Sequence, residues 1–336
     1  MSVNVVEVDN KILALLSKPF YSDSGVQKTP LLHSVALSKL SGCNVYLKCE
    51  NLQTTGSFKI RGATSALLNL GADDRSRGVI TASSGNHGAA TATAARAQGV
   101  AVSVFVPTSI SSAKEVKIAD GGATLIKIEG GGENAEREAS RVARDKNITY
   151  LSPYNHVDVI AGQGTIAHEL LDQLPELKAV FASVGGGGLI SGIGAHLQCH
   201  KPGTIIVGCW PENATSMLAC IRAGKVIEVA ETSTLSDGTA GGVDEGSITL
   251  PLCEAVVTDT VTVAEVEIAN AMELVKRHHG FVIEGAAGVA VAGMLKESLK
   301  FQGKNVVVVL CGENISDQNF ELAMRMAGAN GDSITL

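Results

Sequence analysis

The stretch AVFASVGGGGLISGIGAHL, residues 179–197, decides the fold class. It opens as a short apolar run of strand length, passes through Gly185, Gly186, Gly187 and Gly188, and continues as a helical pattern from near Leu189. Strand, tight turn and helix in that order form the unit of a parallel α/β sheet. A loop without Cβ atoms at this junction can wrap a phosphate with successive N–H groups, and the helix N-terminus adds partial positive charge. No Lys-Ser or Lys-Thr follows, which argues against a Walker-type nucleotide loop. Taken alone, the four glycines also fit a plain strand-to-helix turn that needs small residues.

The same alternation runs outward in both directions. Strand-like runs occur at 44–50, 78–81, 102–107, 124–128, 204–209 and 305–311, with Ala-rich helical stretches between them at 87–99 and 267–280. The second of these ends in Lys, Arg and His before Gly280, as a helix C-terminus should. The pattern predicts an α/β protein in two lobes, with mostly parallel twisted sheets flanked by helices. Glycine- and polar-rich stretches at 129–134 and 236–247 read as loops within that body.

Composition limits the function. With 27 Lys plus Arg against 34 Asp plus Glu, the net charge of −7 offers no basic surface for nucleic acid or anionic lipid. No run approaches the roughly 18 apolar residues of a membrane span, and residues 1–20 lack an export-signal pattern. Seven cysteines are scattered without a C-x-x-C pair, so neither a disulfide framework nor a metal site is indicated, and a cytoplasmic location is expected. Glycine numbers 37 of 336 residues without a G-x-y period, which points to specific backbone positions rather than to a collagen-like chain.

Four further segments could carry chemistry. In GSFKIRGA, residues 56–63, Lys59 lies between Phe58 and Ile60. Most lysines decorate a surface, but a desolvated one is held neutral and can form a Schiff base. In TASSGNHGAA, residues 81–90, Ser83, Ser84, Asn86 and His87 follow a strand and precede a helix, which suits either ligand binding or simple N-capping. Cys311 follows an apolar run and could be an ordinary buried thiol; Glu284 follows FVI, where a carboxylate needs a partner. Gly162-Gln163-Gly164-Thr165-Ile166-Ala167 satisfies the dinucleotide pattern G-x-G-x-x-A, but no acidic residue follows at the required spacing, so we read it as a chance match.

Taken in order, GSFKIRGA, SSGNHG, IAGQGT, SVGGGGLISG and LCGENIS resemble the pyridoxal-phosphate enzymes of fold type II, the tryptophan-synthase-β-like fold, and within them the serine/threonine dehydratase and serine racemase group. The resemblance covers nearly the whole chain. It implies a large cofactor-binding domain from residues 1–77 and 156–336 and a small mobile domain from 78–155, with no C-terminal regulatory domain. It further implies that Lys59 carries pyridoxal 5'-phosphate as a Schiff base, that Phe58 packs beside the ring and that Asn86 bonds its hydroxyl. Gly185 to Gly188 would hold the phosphate, Cys311 would face the ring nitrogen, and Gly238 would contact the cofactor from across the cleft. Ser83, Ser84, Asn86 and His87 would bind the carboxylate of a small hydroxy amino acid such as L-serine or L-threonine.

The implied reaction is β-elimination to a 2-oxo acid and ammonia, by a homodimer. Ser84 stands where racemases of the group carry a serine that handles the Cα proton, which keeps serine racemisation open, and 3-hydroxyaspartate is a further substrate of the group. Trp210 and Ser216 stand where racemase-like members place acidic cation ligands, so no metal is expected there. A non-catalytic phosphate sensor built on the glycine loop is the contrasting expectation.

Overall fold

The computed structural model describes residues 3–21 and 25–328, and its regular elements fall around two sheets. Ten strands are numbered in chain order: β1 Leu31–His33, β2 Asn44–Lys48, β3 Val79–Ala82, β4 Val102–Pro107, β5 Thr124–Ile128, β6 Thr149–Tyr150, β7 Ala179–Ser183, β8 Ile205–Pro211, β9 Asp259–Val263 and β10 Asn305–Val309. The larger sheet has the order β1-β2-β10-β7-β8-β9 and the smaller the order β5-β4-β3-β6. All pairings are parallel except β1 with β2, an edge pair. The α/β expectation therefore holds. The short strands β1, β6 and β9 lack the apolar runs that marked the others.

Burial explains why the central strands are so apolar. Val306 to Val309 and Ala179 to Phe181 are wholly buried because helices cover both sheet faces, as parallel sheets require. The helix Glu265–His279 ends at Gly280, whose φ of 71° is the left-handed cap that glycine supplies without strain. The helix Gly132–Asp145 starts inside the stretch expected to be loop, because the Asn134 side chain accepts a hydrogen bond from the Gly131 N–H and closes the first turn. Segment 236–247 matches expectation apart from one 3-10 turn at Asp237–Thr239.

The dinucleotide-like glycines lie in the middle of the helix Val157–Gln173, where no phosphate could reach the backbone N–H groups. They are there for packing. A Cβ on Gly162 would meet the Arg61 carbonyl oxygen at 2.4 Å, and one on Gly164 would meet the Gly192 carbonyl oxygen at 2.8 Å. Small residues thus let this helix lie directly against its neighbours Lys59–Leu68 and Gly188–His200.

Candidate active site

The candidate residues follow the carboxyl ends of parallel strands, where open α/β sheets bind ligands. Ser83 follows β3, Gly185 follows β7 and Cys311 follows β10. Lys59 reaches the same place by a different route. An antiparallel bridge joins Ser57 to Gly312, and the Phe58 N–H donates to the Cys311 carbonyl at 3.0 Å, so Lys59 begins its helix beside Cys311. Gly56, with φ of 72°, makes the turn that permits this approach.

The Lys59 side chain is half-buried, and its amine donates to the Pro153 carbonyl at 3.0 Å, with the Phe58 ring centroid 5.2 Å away. No carboxylate lies within ion-pair distance of it among the described residues. Burial lowers its pKa to about 8, with the Glu284 carboxylate opposing the shift. Glu284 is pushed the other way, up to about 7, because its own burial outweighs the hydrogen bonds from Asn86 and Cys311. An amine and a carboxyl group are thereby both brought close to neutrality in one buried site, a combination characteristic of reactive centres.

Asn86 holds the centre of the polar network. Its Nδ2 donates to Glu284 Oε2 at 2.8 Å and its Oδ1 accepts from Asn314 Nδ2 at 2.6 Å. Cys311 Sγ, at 3.5 Å from Glu284 Oε1 and 3.7 Å from Ser183 Oγ, is buried. Burial, followed by the Glu284 charge, raises its pKa well above that of an ordinary thiol, so it stays neutral. Lys117, on the helix Ser112–Asp120 of the smaller-sheet side, hydrogen-bonds Asn314 from across the cleft. Asn314 lies in the LCGENIS motif, but nothing in the sequence singled out Lys117.

The glycine loop has the shape that phosphate binding demands. Gly187, φ 83°, caps the helix Gly188–His200, so N–H groups open toward the cleft at a helix N-terminus. A Cβ on Gly186 would fall 2.3 Å from the Tyr154 ring, and one on Gly185 would fall 2.9 Å from Thr239 Cα. Only glycine fits between these neighbours. Gly238 itself is exposed, and the adjoining Thr239 makes the close approach to the loop. Tyr154 is fixed in turn by its hydroxyl, which accepts the Asp244 N–H at 3.0 Å.

The SSGNH segment divides in two. Ser83 and Ser84 are half-buried, with Ser83 Oγ accepting the Gly85 N–H at 3.2 Å, and the helix Asn86–Ala97 begins directly after them. His87 points elsewhere: its Nε2 donates to the Leu151 carbonyl at 3.1 Å, and burial followed by the Lys59 charge lowers its pKa to about 3. It is a neutral tether between the helix and the segment after β6.

These residues fit pyridoxal phosphate on structural grounds. A half-buried amine with one carbonyl acceptor retains donors to spend, and a Cβ-free loop at a helix N-terminus offers a phosphate cradle. Comparison with known proteins agrees. An L-threonine ammonia-lyase of Thermotoga maritima is 39% identical over 86% of this chain and 72% of its own length. Human serine racemase is 36% identical over 86% of this chain and 87% of its own. The yeast L-threo-3-hydroxyaspartate ammonia-lyase is 34% identical over 88% and 90%, respectively. Among solved structures, the processed threonine deaminase isoform 2 of Solanum lycopersicum superposes with a TM-score of 0.91 at 29% identity, covering 97% of this chain and 95% of that one. The model of the pyridoxal-phosphate dependent enzyme family matches residues 23–312, a span that contains Lys59, the glycine loop and Cys311, and the chain belongs to that family.

Proposed function

We propose that the protein is an ammonia-lyase that removes water and ammonia from a small hydroxy amino acid, with L-serine and L-threonine as its first substrates and 3-hydroxyaspartate as a further one. The observation that carries this reading is the Lys59 amine, its pKa lowered to about 8 by burial, in a site where the Cys311 thiol stays neutral. Pyridoxal phosphate, when bound, supplies an aldehyde for the substrate amine and an electron sink for the bond broken at Cα.

The chain's own residues do the rest. The Lys59 amine, neutral above a pH of about 8, would take the Cα proton at Nζ. Ser83 and Ser84, with the N–H groups that open the helix Asn86–Ala97, bind the substrate carboxylate. Asn86 and Glu284 fix the hydrogen bonds beside the reacting atoms. Phe58 keeps water from one side of the Lys59 amine. Cys311 would lie at the ring nitrogen of the bound cofactor, where its neutral thiol, unlike an aspartate, would add no negative charge to hold a proton there, which disfavours transamination.

Serine racemisation is the second reading, and half-buried Ser84 is the residue that supports it. The unit 78–155 closes over the substrate, and the working form is a cytoplasmic homodimer. The seven cysteines, all free and six of them buried, are consistent with a reducing compartment. The test is a panel of L-serine, L-threonine and 3-hydroxyaspartate, scored for 2-oxo acid and for product enantiomer. Release of 2-oxo acid, lost in Lys59→Ala together with the visible absorbance of the bound cofactor, is the expected result. D-serine without 2-oxo acid would replace this reading with the racemase.

A further inference from the structure

At the far end of the glycine-loop helix, three side chains with metal-ligand chemistry converge. His196 and His200, one turn apart on the helix Gly188–His200, both turn their rings toward Asp9 of the helix Val5–Leu16. His196 Nδ1 lies 2.7 Å from Asp9 Oδ1, and His200 Nε2 lies 3.0 Å from Asp9 Oδ2. The three donor atoms all fall within 4.8 Å of one another.

We propose that Asp9, His196 and His200 form a binding site for a divalent cation of the zinc class, which clamps the N-terminal helix to the helix that carries the glycine loop. Bonds of about 2.0–2.2 Å to a tetrahedral ion place neighbouring donors about 3.3–3.6 Å apart; the two His–Asp pairs, at 2.7 and 3.0 Å, open by tenths of an ångström, and the two imidazole nitrogens start no more than 4.8 Å apart. Two imidazoles and one carboxylate select zinc, cobalt or nickel over magnesium or calcium, which take mainly oxygen donors. Asp9 and His196 are buried and pre-positioned, whereas the His200 side chain is 38% exposed and leaves an entry path and an open coordination position.

The surroundings reinforce the assignment. His168 meets His196 edge-on at 5.4 Å, so three of the chain's eight histidines gather at one point. The Cys199 thiol also interacts with the Asp9 carboxylate. Asp9 precedes His196 by 187 positions, so no local motif announces the site; the His196-x-x-x-His200 spacing on a helix is its one sequence signal.

The site lies about 12–18 Å along the helix from the glycine loop, so its occupancy is measurable apart from turnover. The cofactor-loaded enzyme, stripped with EDTA, is titrated with Zn2+ by calorimetry and with Co2+ by visible difference spectroscopy. One equivalent per chain should bind, raise the melting temperature, and be weakened at least roughly tenfold by His200→Gln and by Asp9→Asn. His200→Cys, which restores a zinc donor, should recover binding. Circular dichroism without metal should be the same for all three variants, separating lost binding from lost folding. Absence of a stoichiometric equivalent, undiminished binding in both His200→Gln and Asp9→Asn, or equal response to Mg2+ would overturn the assignment.

Discussion

Lys59 and Glu284 show how burial alone tunes a site. With the amine lowered to about 8, kcat should rise with pH and level off above that value, as the base loses its proton. The Glu284 charge raises the Lys59 pKa, so Glu284→Gln should move the kcat midpoint to lower pH; an unchanged midpoint would separate the two groups. Glu284 also links stability to pH. Its pKa rises from 4.5 unfolded to about 7 folded, so its contribution is complete below about 4.5 and is lost as pH climbs toward 7. Urea midpoints of the cofactor-free protein should therefore fall across that window, and Glu284→Gln should flatten the slope. Ser84→Ala should abolish any D-serine formation while keeping 2-oxo acid release within about tenfold, since Lys59 remains the base for elimination.

At the scale of elements, a buried ion network secures the helix that carries Lys59. Arg61, two residues on, donates to Glu50 Oε2 at 2.7 Å and to Glu169 Oε1 at 2.6 Å, and Lys48 Nζ donates to Glu169 Oε2 at 2.5 Å. Two cations and two anions balance, and all four side chains are nearly inaccessible. Such a network tolerates no single loss. Arg61→Met leaves two carboxylates facing one lysine and should cost about 3–5 kcal/mol by chemical denaturation. Overpacking next to it acts similarly: Gly162→Ala places a Cβ 2.4 Å from the Arg61 carbonyl oxygen and should cost about 1–3 kcal/mol. Lys59 was legible from its flanking motif, whereas Lys48, Glu50 and Glu169 were not, because the partners are 11 to 121 residues apart.

Across the whole molecule, the two sheets meet where Lys117 and Asn86 from one side share Asn314 from the other. If the unit 78–155 closes on substrate, this contact is one of its latches. Lys117→Met should accelerate backbone hydrogen exchange at residues 83–87 and raise KM several-fold, up to about tenfold, with little change in the Lys59-dependent pH midpoint. Unchanged exchange and KM would remove Lys117 from the closing contact.

The sequence by itself determined the α/β class, the central strands, the glycine loop and the family, and it singled out Lys59, because each is written in local patterning or in an ordered set of short motifs. The edge strands β1, β6 and β9 escaped it because β1 and β6 are only three and two residues long and β9, DTVTV, alternates polar with apolar residues instead of forming an apolar run. Tertiary structure alone decided that His87 is a neutral tether, that Gly162 and Gly164 serve packing, that Thr239 approaches the glycine loop, and that Asp9 meets His196 and His200. Those outcomes depend on desolvation and on contacts between distant segments, and neither exists until the chain has folded.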